Sequence, residues 1–353
     1  MFGLVPIGAA HAAPRCTPNV GNSGLSAAVV AHAHQSITDR HINATSCDIG
    51  IYIGPGARHV RVDHVRVTGA NFQGIFAEKT SHVVIEDSVV AHNGFHTTDP
   101  TAPPLPGSGV QSFVGQAFAI SVFGVSHASV KDNAVYDNGR GGIGIMDNGP
   151  NDPGIMLSHQ DPAAPVVGSS YIRVVRNHTW SNFSGCGLVA ATQNVAGSLS
   201  HLTLAHNRIS GTGMSATNGP DIGGIVVAAD LPNSRVRDVT VWRNRVTGSF
   251  EGGVIVNAEA FNASTRRVRV LDNTVSGNNW GALEAPQTAG VIVYENPAPI
   301  PPGTSAPVNV DTVVAGNTIT RQFFGIWSTG HFPPKTWNNH IRVTTGGVPI
   351  SIG

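Results

Sequence analysis

Short apolar runs, each opened by a glycine, recur along most of the chain. The run 224–227 (GIVV) returns as 253–256 (GVIV), and a second apolar stretch, 239–241 (VTV), lies between them. Alignment on the glycine gives nine copies, which begin at Gly50, Gly74, near Phe118, and at Gly142, Gly187, Gly224, Gly253, Gly290 and Gly325. The shortest repeat, of about two dozen residues, has a period typical of solenoid proteins.

A second strand with its own signature follows each glycine-led run. Because no amphipathic helix separates the strands, the pattern favours a β-helix over a leucine-rich or helical repeat. One position of this second strand repeatedly holds asparagine: Asn133, Asn177, Asn207, Asn244, Asn273, Asn317 and Asn339. Stacked coils would place these amides about 4.8 Å apart in a hydrogen-bonded ladder. We also expect asparagine to supply the left-handed backbone that a sharp turn between strands requires.

These repeats resemble the right-handed parallel β-helix family that includes pectate lyases, over residues 50–341. The resemblance predicts an all-β fold, a single-stranded right-handed parallel β-helix of about nine coils with an N-terminal cap. The predicted divisions are a signal-peptide remnant at 1–13, the cap at 14–49 and the β-helix at 50–353. The family includes lyases, hydrolases, epimerases and inert fibres, so the resemblance indicates the fold more than the function.

Composition narrows the range of partners. The formal net charge is zero and only 12% of residues are charged, which argues against nucleic acid or a membrane as the main partner. A carbohydrate or another small-molecule substrate fits better. The chain has three lysines and 18 arginines, and the arginines could still be concentrated locally.

The N-terminal region indicates secretion, to the extracellular space or the periplasm. An apolar stretch ends at 10–12 (AHA), with small residues at the positions where a signal peptide is cleaved. Cys16 and Cys47 flank the predicted cap, and a disulfide between them would hold the cap on the first coil. Cys186 has no partner in this scheme and is expected to be a buried free thiol.

Insertions enter the repeat at two places, before and after the glycine-led strand. Loops would therefore rise on both sides of the sheet that these strands form, and the sheet would become the floor of a groove. Residues expected to point outward on this floor, such as Val226 and Ala228, are mostly apolar and uncharged. The floor therefore leaves open a ligand less polar than a pectin.

Charged residues collect at the two ends of the glycine-led strands. Asp230 and Glu259 each stand six residues after the strand glycine in consecutive copies, which predicts Cα atoms about 5 Å apart. Such a pair can act as general acid and base, or as nucleophile and acid, in glycoside chemistry. Before the strand glycine stand Arg140, Asp221 and Glu251, as further catalytic candidates; Arg140 could hold a substrate carboxylate.

Four residues are predicted to bind substrate: Trp280, Tyr294, Asn257 and Trp327. Trp280 lies in the loop GNNWG beside the predicted groove and could stack on a sugar ring. Asp147 and Glu295 follow their strands and are candidate metal ligands. No cofactor is required by this scheme, and Ca²⁺ is the one cation considered.

The sequence thus favours a secreted carbohydrate-active enzyme, a polysaccharide lyase or a glycoside hydrolase. The first alternative is a non-catalytic glycan-binding or adhesive surface protein. A third reading, based on the apolar floor, is an enzyme that acts on a less polar, non-carbohydrate ligand.

Overall fold

The structure is a computed structural model that describes residues 15–95, 118–151, 154, 159–183, 185–213, 223–278, 289–296 and 300–353. Its strands form two long sheets in which sequential coils lie side by side. Sheet A contains β1 (Ala27–Val30), β3 (Ile49–Ile53), β5 (Gln73–Glu78), β8 (Phe118–Phe123), β11 (Gly141–Met146), β14 (Leu188–Thr192), β17 (Ile225–Ala229), β20 (Val254–Ala258), β23 (Ala289–Glu295), β27 (Phe324–Thr329) and β30 (Val348–Ile352).

Sheet B contains the remaining strands, and a short 3₁₀ segment, Val20–Asn22, precedes β1. The strands of sheet B are β2 (Ser36–Asn43), β4 (Arg61–Thr68), β6 (Ser81–Glu86), β7 (Val89–Ala91), β9 (Ser126–Lys131), β10 (Ala134–Tyr136), β12 (Ser169–Val175), β13 (His178–Trp180), β15 (Ser198–Ala205), β16 (Arg208–Ser210), β18 (Arg235–Trp242), β19 (Arg245–Thr247), β21 (Ser264–Leu271), β22 (Thr274–Ser276), β24 (Val308–Val310), β25 (Val313–Ala315), β26 (Thr318–Thr320), β28 (Lys335–Trp337) and β29 (His340–Arg342). A longer and a shorter strand alternate through most of its coils.

The chain is an all-β parallel solenoid, as the repeats predicted. Each strand of sheet A pairs in parallel with the strand of the next coil, for example Ile225 with Val254 and Val254 with Val291. No helix among the described residues is long and apolar enough to cross a membrane.

The β-helix begins earlier than the predicted boundary at residue 50. Sheet A has eleven strands in the described chain, two more than the nine predicted, because β1 pairs with β3 and β30 pairs with β27. Alignment on glycine missed both, since Ala28 takes the glycine position opposite Gly50, and Pro349 takes it opposite Gly325. Residues 27–43 therefore form a coil, and the assignment of 14–49 as a separate cap is wrong.

The strand glycine is required by close packing inside the coil. A Cβ added at Gly224 would lie 2.1 Å from Val246 Cγ1 and 2.7 Å from Ser249 Oγ. The short strand of sheet B crosses directly behind this position, so only a residue without a side chain fits. The same steric limit explains why the glycine recurs from coil to coil.

Sheet A is apolar on both faces. Ile225 and Val227 point into the coil and belong to the main core, whereas Val226 and Ala228 belong to a second apolar cluster on the outer face. All five residues of β17 are buried, and a strand buried on both faces reads as a continuous apolar run. The strands of sheet B instead alternate buried and exposed residues, as β18 does.

The predicted asparagine ladder is present. The side-chain Nδ2 of each ladder asparagine donates to Oδ1 of the next, at 2.9–3.0 Å from Asn133 to Asn339. The left-handed backbone lies one residue earlier, at Arg243 (φ 52°) and Asp272 (φ 54°). The expectation that asparagine itself supplies the left-handed turn is therefore wrong; its amide instead bonds the neighbouring coils.

A second ladder and a file of stacked rings were not predicted. Asn93, Asn138 and Asn182 bond in sequence at 3.1 and 3.0 Å, one turn further along each coil. On the outer side of sheet B, rings of consecutive coils stack with centroids 4.5–5.0 Å apart: His34, His59, His82, His127, Tyr171 and His201. Partial desolvation of the ring, together with the neighbouring His82, holds the pKa of His59 below its usual value.

The Cys16–Cys47 disulfide is formed, with Cα atoms 5.5 Å apart, and Cys186 is a buried cysteine outside that disulfide. The N-terminal segment is also held by an antiparallel bridge between Thr17 and Ala27. The disulfide therefore joins the segment before β1 to the residues just before β3.

We expect mass spectrometry of the unreduced protein to find Cys16 and Cys47 in one linked peptide pair and Cys186 unmodified. After denaturation, an alkylating reagent should label Cys186 alone, and all three cysteines once the protein is also reduced. A link that includes Cys186 would contradict the arrangement.

Candidate functional site

The residues that directly follow four neighbouring strands of sheet A form one polar file. We call this file, Gln193, Asp230, Glu259 and Asn296, the exit edge. Its register follows from the strands themselves, because Thr192 pairs with Ala229, Ala229 with Ala258, and Ala258 with Glu295. The backbone N–H of Glu259 donates to the carbonyl of Ala229 at 3.0 Å, so Asp230 and Glu259 are next to each other, as their spacing predicted.

Each of these two carboxylates is held by a side-chain amide. Gln193 Nε2 donates to Asp230 Oδ2 at 3.2 Å, and Asn257 Nδ2 donates to Glu259 Oε1 at 2.5 Å. Asp230 and Glu259 are half-buried, so the amides fix their orientation without removing them from solvent. Neutral donors of this kind orient a carboxylate and leave its charge in place.

Two half-buried aromatic residues lie beside the carboxylates on the outer face of sheet A. The Tyr294 and Trp327 rings are 5.9 Å apart between centroids and 25° from parallel. Tyr294 pairs with Asn257 across the sheet, which places the aromatic pair beside the exit edge. An aromatic surface next to polar groups is suited to the apolar face and the hydroxyls of a sugar.

Asn257 is fully buried, although the sequence predicted it as a substrate-binding residue. Its side chain points along the strand toward Glu259 and donates to that carboxylate. Asn257 therefore positions a candidate catalytic group and does not form part of the surface.

At the opposite ends of the strands, the two described candidate residues are buried. Arg140 precedes β11 and is only 7% exposed, and Glu251, before β20, is 0% exposed. Burial lowers the pKa of Arg140 to about 9. The sequence placed both residues on an open rim, and the structure places both inside. Asp221 and Trp280 lie outside the described residues.

Asp147 and Glu295 cannot share a metal ion. They occupy the same file of sheet A but stand four strands apart, which corresponds to roughly 19 Å. Glu295 accepts hydrogen bonds from the backbone N–H groups of Asn309 and His331, at 2.7 and 2.6 Å. Both acids are buried and bond turn amides, so they are not two ligands of one ion.

Asp147 is nevertheless an unusual carboxyl group. It is fully buried and accepts a hydrogen bond from the backbone N–H of Gln193 at 2.6 Å. Burial raises its pKa to about 6. Between the ordinary value of about 4 and this value, the folded state binds more protons than the unfolded state, so the free energy of unfolding falls as the pH rises.

We expect Asp147→Asn to gain stability relative to the wild-type protein as the pH rises from 4 to 8. The gain should be about 2–3 kcal/mol, because one pKa unit corresponds to about 1.4 kcal/mol. Urea denaturation at pH 4, 6 and 8 measures it, and the comparison across pH cancels any constant cost of the new amide. The exposed Asp161→Asn serves as the matched control, and a difference that does not vary with pH would contradict the raised pKa.

Sequence reasoning missed Gln193 and Asn296, although the signal was present. Both stand six residues after their strand glycines, Gly187 and Gly290, in the position that Asp230 and Glu259 share. The two amides carry no charge, so a pattern of charged residues does not include them.

Comparisons with known proteins agree with this fold. Residues 19–152 match the family model described as right handed beta helix region. No curated protein matches the chain by sequence.

Solved structures of similar architecture include two enzyme domains. The A-module of the mannuronan C-5 epimerase AlgE4 from Azotobacter vinelandii is 16% identical with a TM-score of 0.51, and the match covers 86% of this chain and 66% of the module. The Agl-KA catalytic domain is 10% identical with a TM-score of 0.51, over 95% of this chain and 50% of that domain. The chain thus spans two thirds or less of either domain, and identities this low indicate a shared fold alone.

A third similar structure is a surface adhesin. PfbA of Streptococcus pneumoniae is 11% identical with a TM-score of 0.44, over 94% of this chain and 86% of the adhesin.

Proposed function

Because the chain is a right-handed parallel β-helix protein, we propose that it is a secreted carbohydrate-active enzyme that cleaves a polysaccharide at the exit edge. One observation carries the proposal: Asp230 and Glu259 are adjacent in register, each oriented by an amide, beside the Tyr294–Trp327 pair. A pair of carboxyl groups can supply the acid and the nucleophile or base of glycosidic bond cleavage, and an aromatic surface can stack on a sugar ring.

Hydrolysis is the reaction that we favour. One carboxyl group would protonate the glycosidic oxygen, and the other would act as nucleophile or would activate water. Elimination from a uronic acid would also need a cation to neutralise the sugar carboxylate. Arg140, one candidate for that role, is buried at the opposite end of the strands, so elimination would depend on a bound cation such as Ca²⁺, which hydrolysis does not need.

The proposal includes export from the cytoplasm and needs no cofactor. The Cys16–Cys47 disulfide supports export, because such bonds persist in oxidising compartments. Ca²⁺ is the cation that adjacent carboxylates and amide oxygens would favour, so turnover should be assayed with and without a chelator.

A screen against neutral and acidic polysaccharides tests the proposal. New reducing ends would indicate hydrolysis, and new reducing ends with absorbance from an unsaturated sugar would indicate a lyase. The aromatic pair also favours a second candidate, a non-catalytic glycan-binding surface, which predicts binding without any cleavage. The third candidate, an enzyme for a less polar ligand, would need access to the apolar outer face of sheet A, which is buried along β17. It predicts no response to any polysaccharide.

A further inference from the structure

The outer face of sheet B carries a concentration of arginine that the proposed catalytic site does not use. Segments 169–180, 198–210, 235–247 and 264–276 contain ten arginines and two aspartates, a formal net charge of +8 in a chain whose overall charge is zero. All ten arginines are exposed. We call them the arginine face: Arg173, Arg176, Arg208, Arg235, Arg237, Arg243, Arg245, Arg266, Arg267 and Arg269.

The alternation of sheet B directs most of these side chains outward, and Arg176, Arg243 and Arg267 lie at left-handed backbone positions. In β18, Val236 and Val239 are buried, whereas Arg235 and Arg237 are exposed. The register pairs Arg237 with Arg266 in the next strand. Arg208 likewise pairs with Arg245.

Fold stability does not account for these pairs. Neighbouring strands lie about 4.8 Å apart, and like charges directly opposite each other destabilise a sheet. An external anion would remove the repulsion.

Acidic residues neutralise only part of the face. Asp238 bonds Arg237 and Arg267, and Asp132 of the preceding coil bonds Arg176. Among the residues that the structure describes, the other seven arginines form no ion pair. The Arg243 guanidinium lies 4.5 Å from the centre of the Trp242 ring, a contact that keeps its charge available to a ligand.

We propose that the arginine face binds a linear polysaccharide that carries carboxylate groups. The planar guanidinium fork matches a carboxylate with two parallel hydrogen bonds, and the face has several such groups but no lysine. Thr203 and Thr240 lie between the arginines on adjacent strands and offer hydroxyls to sugar hydroxyls. The Cys16–Cys47 disulfide supports an oxidising compartment, where nucleic acid is not the expected polyanion.

This surface is separate from the exit edge. The arginine face belongs to sheet B, the exit edge follows the strands of sheet A, and the apolar core of the coil lies between the two sheets. A polymer bound to the arginines therefore leaves the exit edge open. The inference does not rest on any activity at that edge.

Binding to immobilised polygalacturonate, compared with neutral dextran and single-stranded DNA, tests the proposal. The triple variant R208Q/R245Q/R266Q should bind polygalacturonate about tenfold more weakly than the wild-type protein, since each exposed charged contact is worth a factor of about two to three. The difference should shrink as NaCl is added, because salt screens exposed charges.

The matched control is R40Q/R58Q/R321Q, which removes three exposed arginines outside the face. It should bind within about twofold of wild type, and both triple variants should melt at the wild-type temperature. Asp230→Asn should bind normally even if it abolishes turnover, which separates this proposal from the catalytic one. Absence of wild-type binding to polygalacturonate, equal losses in both triple variants, or tighter binding to DNA would overturn the proposal.

Discussion

Asp230→Asn and Glu259→Gln should each lower turnover by about 100-fold or more, the usual size of a general acid or base contribution. Each substitution keeps the shape of the side chain and removes the group that exchanges a proton. The surroundings can adapt, because Gln193 and Asn257 can still donate to the remaining oxygen. Steady-state rates on a substrate from the polysaccharide screen measure the effect.

The control for these variants is Asp39→Asn, an exposed acid in β2 on sheet B. It should leave turnover unchanged. Melting temperatures should stay near the wild-type value in all three proteins, because substitution also relieves repulsion between adjacent carboxylates. Active variants that lose about 1 kcal/mol of stability would show that Asp230 and Glu259 only bond turn amides.

Asn244→Ala should lower the free energy of unfolding by about 4 kcal/mol. The Asn244 side chain donates to Asn273 Oδ1 and to the carbonyl of Leu204, and it accepts from the backbone and side-chain amides of Asn207. It is 1% exposed, so water cannot replace these four bonds, each worth about 1 kcal/mol. Urea denaturation measures the loss.

Asn43→Ala is the comparison for this variant. Asn43 also accepts two hydrogen bonds, from the N–H and hydroxyl of Thr45, but it is exposed. Its removal should cost less than about 1 kcal/mol, as for most surface substitutions. Similar losses in both variants would mean that burial does not set the strength of the ladder.

The repeats predicted most of the fold because each coil obeys the same steric rules. One such rule is that the strand glycine leaves no room for a Cβ, as at Gly224. The prediction missed β1 and β30, where Ala28 and Pro349 stand at that position. A pattern defined by one residue type cannot detect a coil in which another residue stands at that position.

The candidate site was only partly predictable, because spacing fixes register but not burial. The adjacency of Asp230 and Glu259 follows from the strand period alone. The burial of Arg140 and Asn257 depends on which segments cover them, and the repeat carries no information about that. The large distance between Asp147 and Glu295 could have been predicted from the sequence, because three other coils separate the two residues.

The hydrogen bonds of the asparagine ladder have nearly the same length, although the coils that they join differ greatly in residue number. Asn317 and Asn339 are 22 residues apart, whereas Asn133 and Asn177 are 44 apart, yet the bond between each pair is 2.9 Å. Doubling the length of a closed loop costs only about 0.6 kcal/mol of chain entropy, far less than the ladder bonds supply. New segments can therefore be inserted beside the exit edge at little cost to folding, and evolution or design could change what this scaffold recognises through its loops alone.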